Sequence, residues 1–241
     1  MKLLIIRPQP GADATAHRLR AAGHEPILMP LFAIEVLPMQ RRSAAGYDGL
    51  LLTSGNAARA AGEFLTNNPA TPIYAVGSAT ASALHALSLP VAKTGSEGVE
   101  ALVRVAAADG HQRLLWLAGE DYSPIPHIDD VSIDIDIIYR SAMVSTPDNF
   151  VHQITESDVV ILHSSRAARH FADLCDTMNL PRANITLATF SSAIAEAAGE
   201  NWAAMIIADV PNDAALLKAI QAQFTPTHCQ DERGTAIEEP I

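Results

Sequence analysis

Apolar positions in this chain fall into short unbroken runs at residues 2–6, 50–52, 73–76, 113–117, 159–162, 185–188 and 205–208. A run with no polar face predicts a strand buried on both sides of a sheet. Most of these runs lead into a turn of small residues and then into helically spaced apolar positions. The predicted helices cover residues 12–22, 57–65, 81–86, 99–107, 194–198 and 214–224, and Gly23, Gly110 and Gly199 close three of them. Strands and helices that alternate in this way predict an α/β fold with parallel sheets.

Two stretches depart from the rhythm. Residues 31–37 alternate loosely and stop at Pro38. Residues 131–139 set Ile133, Ile135 and Ile137 against Asp134 and Asp136. Alternation of this kind predicts a strand with one wet face, at an edge or in a connector. Residues 40–45 read as a short polar helix and residues 91–92 as a short strand. Residues 96–98 read as a helix cap. Thr146-Pro147-Asp148 starts a further helix with proline in its first turn.

One passage is written twice. YDGLLLTSGNAARAAGEFL begins at Tyr47, and SDVVILHSSRAARHFADLC begins at Ser157. Asp48 corresponds to Asp158, Ser54 to Ser164, and Ala57-Ala58 to Ala167-Ala168. In the first copy Ser54 or Asn56 is the natural N-cap. The run at Leu3 resembles that at Leu114, and the turn at Gly77 resembles that at Ser191. With two extended connectors between the halves, the domains are not consecutive. Domain 1 is expected to hold residues 1–35 plus 146–224, and domain 2 residues 39–139. Residues 36–38 and 140–145 connect them, and residues 225–241 read as a disordered tail.

Composition narrows the function. Hydrophobic residues make up 49% of the 241 positions, enough for a sizeable core. A net charge of −11 argues against a nucleic-acid partner. The apolar runs are too short to cross a bilayer. Arg7 and Pro8 interrupt the first run before a signal peptide could form, so a cytoplasmic protein is expected. Two cysteines make neither a disulfide framework nor a metal site, and Cys175 reads as a small core residue on a helix. Nucleotide, phosphate-loop, nucleophile-elbow and zinc motifs do not occur. His163, beside the second copy's turn, reads as a structural side chain at a strand end.

The candidate chemistry lies in the small hydroxyl turns. They contain Thr53, Ser54 and Asn56; Gly77, Ser78 and Thr80; Ser164 and Ser165; and Ser191. Each alone is an ordinary N-cap. Together, at corresponding ends of parallel strands, they predict hydroxyls and free backbone N–H groups facing one anionic ligand, since open α/β sheets bind beyond their strands' carboxyl ends. Arg7 ends the first strand, either toward that crevice or as a surface arginine at a turn. Tyr139 ends the alternating strand, and Lys93 and Arg140 are either carboxylate partners or solvated charges.

In order, LLIIRP, DGLLLTSGNA, AVGSAT, a strand ending in IYR, DVVILHSS and PNDAALL resemble uroporphyrinogen-III synthase, to about residue 222. The resemblance implies two flavodoxin-like domains joined by a two-stranded linker. It implies cyclisation of hydroxymethylbilane, a linear tetrapyrrole with eight carboxylates, with inversion of ring D and loss of water. It implies no cofactor, a monomer, and possible hand-over from hydroxymethylbilane synthase. Tyr139 would be the catalytic proton donor, and the turns would hold acetate and propionate arms. Where the family often has glycine, this chain has Ser191. The alternatives are a two-lobed binding or sensor module without chemistry, and a flavin- or nucleotide-binding protein.

Overall fold

The computed structural model describes residues 1–95, 98–124 and 127–224. The expected tail at 225–241, two residues of the expected cap at 96–98, and residues 125–126 lie outside them. In chain order the strands are β1 (Lys2–Ile5), β2 (Glu25–Leu28), β3 (Phe32–Val36), β4 (Gly49–Leu52), β5 (Ile73–Val76), β6 (Lys93–Gly95), β7 (Arg113–Gly119), β8 (Ser132–Met143), β9 (Val159–Leu162), β10 (Thr186–Thr189) and β11 (Ala204–Ile207). The helices are α1 (Gly11–Ala21), α2 (Gly55–Ala60), α3 (Gly62–Asn67), α4 (Gly77–Ala86), α5 (Val99–Ala108), α6 (Phe150–Glu156), α7 (Ser165–Thr177), α8 (Ser192–Ala198) and α9 (Asp213–Phe224).

The chain forms two compact units. Unit 1 is Met1–Met29 with the chain from Pro147 onward, and unit 2 is Pro30–Thr146. Unit 1 has a parallel sheet in the order β2-β1-β9-β10-β11, which is the 2-1-3-4-5 order of doubly wound flavodoxin-like sheets. Unit 2 has the order β3-β8-β7-β4-β5-β6. With β7 and β8 taken as first and second strands and β4, β5 and β6 as the rest, its parallel part repeats that order. Unit 2 is thus a circular permutation of the same design. The expected α/β class with two parallel sheets holds.

The unbroken apolar runs follow from coverage of both sheet faces. In unit 2, Leu50 and Leu52 pack with Leu115, Leu117 and helices α2–α4, while Leu51 packs with Leu114, Trp116 and α5 on the other side. The two departures from the rhythm pair with each other. β3 runs antiparallel to the far half of β8, Phe32 opposite Met143 and Val36 opposite Tyr139. Both strands lie wholly in unit 2, so residues 31–35 and 140–145 group there rather than with domain 1 or a free connector.

Four local expectations need correction. Residues 40–45 are not helical: the N–H groups of Gln40 and Arg41 donate to the Asp136 carboxylate, and that of Ala44 to Asn68 Oδ1. A side chain thus supplies the acceptors that a helix would have supplied. For the same reason the acidic positions of β8 do not form one wet face: Asp136 is only 2% exposed, while apolar Ile137 is 37% exposed. The strand expected at 91–92 is displaced to Lys93–Gly95. The helix expected at 57–65 divides at Ala61 into α2 and α3, while its counterpart α7 runs unbroken.

The internal repeat is real at atomic detail. Ser54 and Ser164 are both N-caps in extended backbone, at φ −150°, ψ 150° and φ −153°, ψ 152°. Each Oγ accepts the N–H three residues on, at 3.1 and 3.2 Å. The paired aspartates also share a task. Asp48 accepts from the N–H groups of Gln112 and Arg113 at the start of β7, and Asp158 from that of Lys2 at the start of β1. Backbone N–H donation holds the Asp48 carboxyl below the usual carboxylate range.

Candidate functional site

In unit 2 the turns after β4 and β5 sit side by side, because the two strands are neighbours in the sheet. Helices α2 and α4 pack together, and Ala83 lies 3.3 Å from where a Cβ on Gly55 would be. Ser54 Oγ accepts the Ala57 N–H and lies 2.8 Å from the Tyr139 hydroxyl. This bond joins two predicted site residues 85 positions apart. The Thr53 hydroxyl accepts from the indole N–H of buried Trp116 at 3.4 Å. Asn56 Oδ1 accepts from Arg59 at 2.6 Å. Gly77 and Ser78 are the first residues of α4 itself rather than a separate turn, and no side chain caps that helix. Ser78 is exposed, whereas Thr80 is buried. A cavity of about 250 Å³ beside Pro72 and Pro90 contains none of these residues.

A bulge aims Tyr139. From Arg113 to Ala118, β7 pairs residue for residue with Ser132 to Ile137, and then Gly119 faces Tyr139, leaving Ile138 as the extra residue. Strict alternation would put Tyr139 on the face of Ile133 and Ile135. The inserted residue instead places it with Ile138 against Leu50, Leu52 and α2, the side where Ser54 stands. Gly119 is buried, and a Cβ there would lie 2.4 Å from Tyr139 Cζ and 2.7 Å from its hydroxyl. The phenol occupies space that only a glycine leaves open.

Unit 1 carries the counterpart turns. Ser164 caps α7 and is exposed, and the Ser165 hydroxyl donates to the Ala193 carbonyl of α8 at 3.2 Å. Ser191 stands in extended backbone before α8 without capping it through its side chain. Arg7 folds back over α1: its guanidinium lies 2.6–2.7 Å from the site of a Gly11 Cβ, and Nη1 is 3.4 Å from Thr15 Oγ1. Thr15 in turn bonds Asp213, which pairs with Arg18. His163 packs against Phe190 with ring centroids 4.6 Å apart.

The model of the HEM4 family, described as uroporphyrinogen-III synthase HemD, matches residues 13–218. This chain belongs to the uroporphyrinogen-III synthase family. Its fold agrees. A mutant form of uroporphyrinogen III synthase from the extremely thermophilic bacterium Thermus thermophilus has a TM-score of 0.51 at 15% identity, covering 92% of this chain and 98% of that one. A second structure of the Thermus thermophilus synthase gives 0.39 at 16% identity, covering 93% and 100%. Comparison with curated proteins finds no match.

As a uroporphyrinogen-III synthase family member, the chain is an enzyme of tetrapyrrole synthesis. No group of three or more metal-ligating side chains occurs among the described residues, and none of their helices is long and apolar enough to cross a membrane. Cys175 is fully buried, and burial pushes its thiol up to about 12, as befits a packing residue. Two contributors escaped the sequence reading. Gly119 ends an apolar run, and its importance depends on the partner strand. Arg59 looks like an ordinary charge on a helix. Its spacing of three from Asn56 was the available signal.

Burial first, and then the charge of Arg7, hold the His163 imidazole well below its ordinary 6.5. In the unfolded chain it protonates near that value, so below it the unfolded state binds the extra proton. The stability that a neutral His163 carries is complete above about pH 6.5 and is lost as pH falls. Wild type is expected to lose more stability than His163→Gln between pH 7.5 and 5.5, by at most about 1.4 kcal/mol per pH unit. Urea unfolding at the two pH values measures this, and parallel losses would remove His163 from the acid sensitivity.

Proposed function

We propose that this chain closes hydroxymethylbilane to uroporphyrinogen III as a hydro-lyase, with Tyr139 as the proton donor to the departing hydroxyl. The family match over residues 13–218 carries the activity. The 2.8 Å bond between Tyr139 and Ser54 supports the residue's role, because it holds the phenol hydroxyl in a defined place beside a hydroxyl-lined turn. As the substrate's C–O bond breaks, the departing hydroxyl takes the phenolic proton and leaves as water. The remaining azafulvenium cation attacks a substituted ring position, and the spiro intermediate rearranges with ring D inverted. Electron-rich pyrroles supply the reactivity, so the protein's main task is positioning. The turns at Thr53, Ser54, Asn56, Gly77 and Ser78, with Arg7, Ser164, Ser165 and Ser191, are assigned to the carboxylate arms, whereas Thr80 is buried and is left out. The protein acts as a monomer in the cytoplasm and takes its short-lived substrate from hydroxymethylbilane synthase.

Incubation with freshly generated hydroxymethylbilane tests the activity. The type III isomer is expected, and type I product alone overturns the reading. Tyr139→Phe keeps the ring and its packing but removes the proton. It is expected to lower kcat on the order of tenfold without abolishing turnover. An unchanged kcat would take Tyr139 out of the mechanism.

A further inference from the structure

Among the described residues, seven lysine and arginine side chains of this acidic protein pair with its own carboxylates. Lys2 pairs with Glu156, Arg18 with Asp213, Arg41 with Asp134, Lys93 with Asp109, Arg104 with Glu100, Arg140 with Glu35 and Arg182 with Asp176. Lys93 and Arg140, two of the cations that the sequence offers to a ligand, are both among these. Arg59 is different. Among the described residues its hydrogen-bond partner is the neutral carboxamide of Asn56, and no acidic side chain pairs with it. In a chain of net charge −11, an arginine beside a hydroxyl-lined turn with a neutral carboxamide as its hydrogen-bond partner keeps its charge available to an anion.

Its position is also defined. Arg59 lies on α2, five residues after its N-cap Ser54, and its guanidinium bends back over the start of that helix. Nη1 and Nη2 are 3.3 and 3.5 Å from where a Cβ on Gly55 would sit. The residue is exposed, so a ligand can reach it. Burial lowers its pKa, and the neighbouring Tyr139 acts in the opposite sense, so the group is partly stripped of water beside the phenol. A carboxylate drawn to the guanidinium offsets the hydration it has lost there. The bond to Asn56 uses one Nη2 hydrogen and orients the planar fork. The remaining donors match a carboxylate's two oxygens.

We propose that Arg59 is a substrate-anchoring residue, its guanidinium gripping one carboxylate arm of the linear tetrapyrrole next to Tyr139. Asn56 holds the fork in place, and Gly55 leaves room for it. This assignment rests on the reading of the chain as a uroporphyrinogen-III synthase. An anchor of this kind binds ground state and transition state alike, so its removal acts on KM.

Steady-state kinetics with hydroxymethylbilane generated in the assay test this in wild type, Arg59→Gln and Arg59→Lys. Arg59→Gln is expected to raise KM on the order of tenfold with kcat within about twofold. Arg59→Lys keeps a point charge without the fork and is expected to recover part of the loss. KM of Arg59→Gln should also rise less steeply with salt than that of wild type. If wild type makes no type III product, the synthase reading itself fails, whatever Arg59 does. If wild type makes it and Arg59→Gln has an unchanged KM, the anchor is wrong. A fall in kcat at constant KM also overturns it, because Arg59 would then act through Tyr139 rather than on the carboxylate.

Discussion

Gly119→Val is expected to lower kcat/KM on the order of a hundredfold while the chain still folds, as befits a displacement of about an ångström at a positioning site. The argument is steric. Even the first carbon of a side chain would overlap the Tyr139 ring, at 2.4 Å from Cζ. The backbone of β7 is fixed between β4 and β8, so the tyrosine is what moves. Swinging away, the phenol loses Ser54 and sweeps into the space where substrate is assigned. The loss should exceed that of Tyr139→Phe, which leaves the ring where it is. Gly119→Ala should fall between. A double-mutant cycle decides whether the effect passes through Tyr139. In a Tyr139→Ala background the ring is gone, and Gly119→Val should cost little more activity. A full hundredfold loss in that background would mean that Gly119 acts elsewhere.

Asp136→Ala is expected to destabilise unit 2 by about 3 kcal/mol. The carboxylate is buried and accepts from the N–H of Gln40 at 3.1 Å and of Arg41 at 3.0 Å. Hydrogen bonds to a charged group contribute about 1.5–3 kcal/mol each, and alanine leaves two backbone donors without their acceptor. The damage spreads beyond two bonds, because this segment carries Met39 and Tyr47 onto the core beside Leu50 and Leu52. Tyr47 in turn donates to Asp134 at 2.6 Å and accepts from Arg41 at 2.7 Å. Urea unfolding followed at Trp116 gives the value. Asp136→Asn keeps one acceptor oxygen and should lose less. A loss below about 1 kcal/mol would show that water replaces the carboxylate at those N–H groups.

Much of this architecture could be read from the sequence, because parallel sheets covered on both faces leave a plain signature. Leu50, Leu51 and Leu52 are all apolar since helices cover both sides of β4. The repeat was legible because Asp48 and Asp158, and Ser54 and Ser164, do the same local work in each unit, and local work leaves local sequence. What could not be read depends on partners distant in the chain. Asp134 and Asp136 look like a solvated face until residues 40–47, nearly a hundred positions earlier, bond to both and bury Asp136. The direction of Tyr139 depends on a bulge, and a bulge is a relation between two strands. Thr80 looks like Ser78's neighbour in a binding turn, yet it is buried because the helix already begins at Gly77.

Permutation of unit 2 bears on the order in which the protein is made. Residues 30–146 leave the ribosome as one continuous segment with every strand of their own sheet, so that unit can close as soon as it is synthesised. Unit 1 cannot. Its first strand lies in the middle of the sheet, and one of its two neighbours, β9, begins at Val159. Until then β1 waits with one edge bare, the state in which strands are most open to wrong pairing. The antiparallel ladder of β3 and β8 shortens that exposure. By zipping Phe32 to Met143 it brings the far ends of more than a hundred residues together and relieves unit 1 of much of the entropy of closing so long a loop.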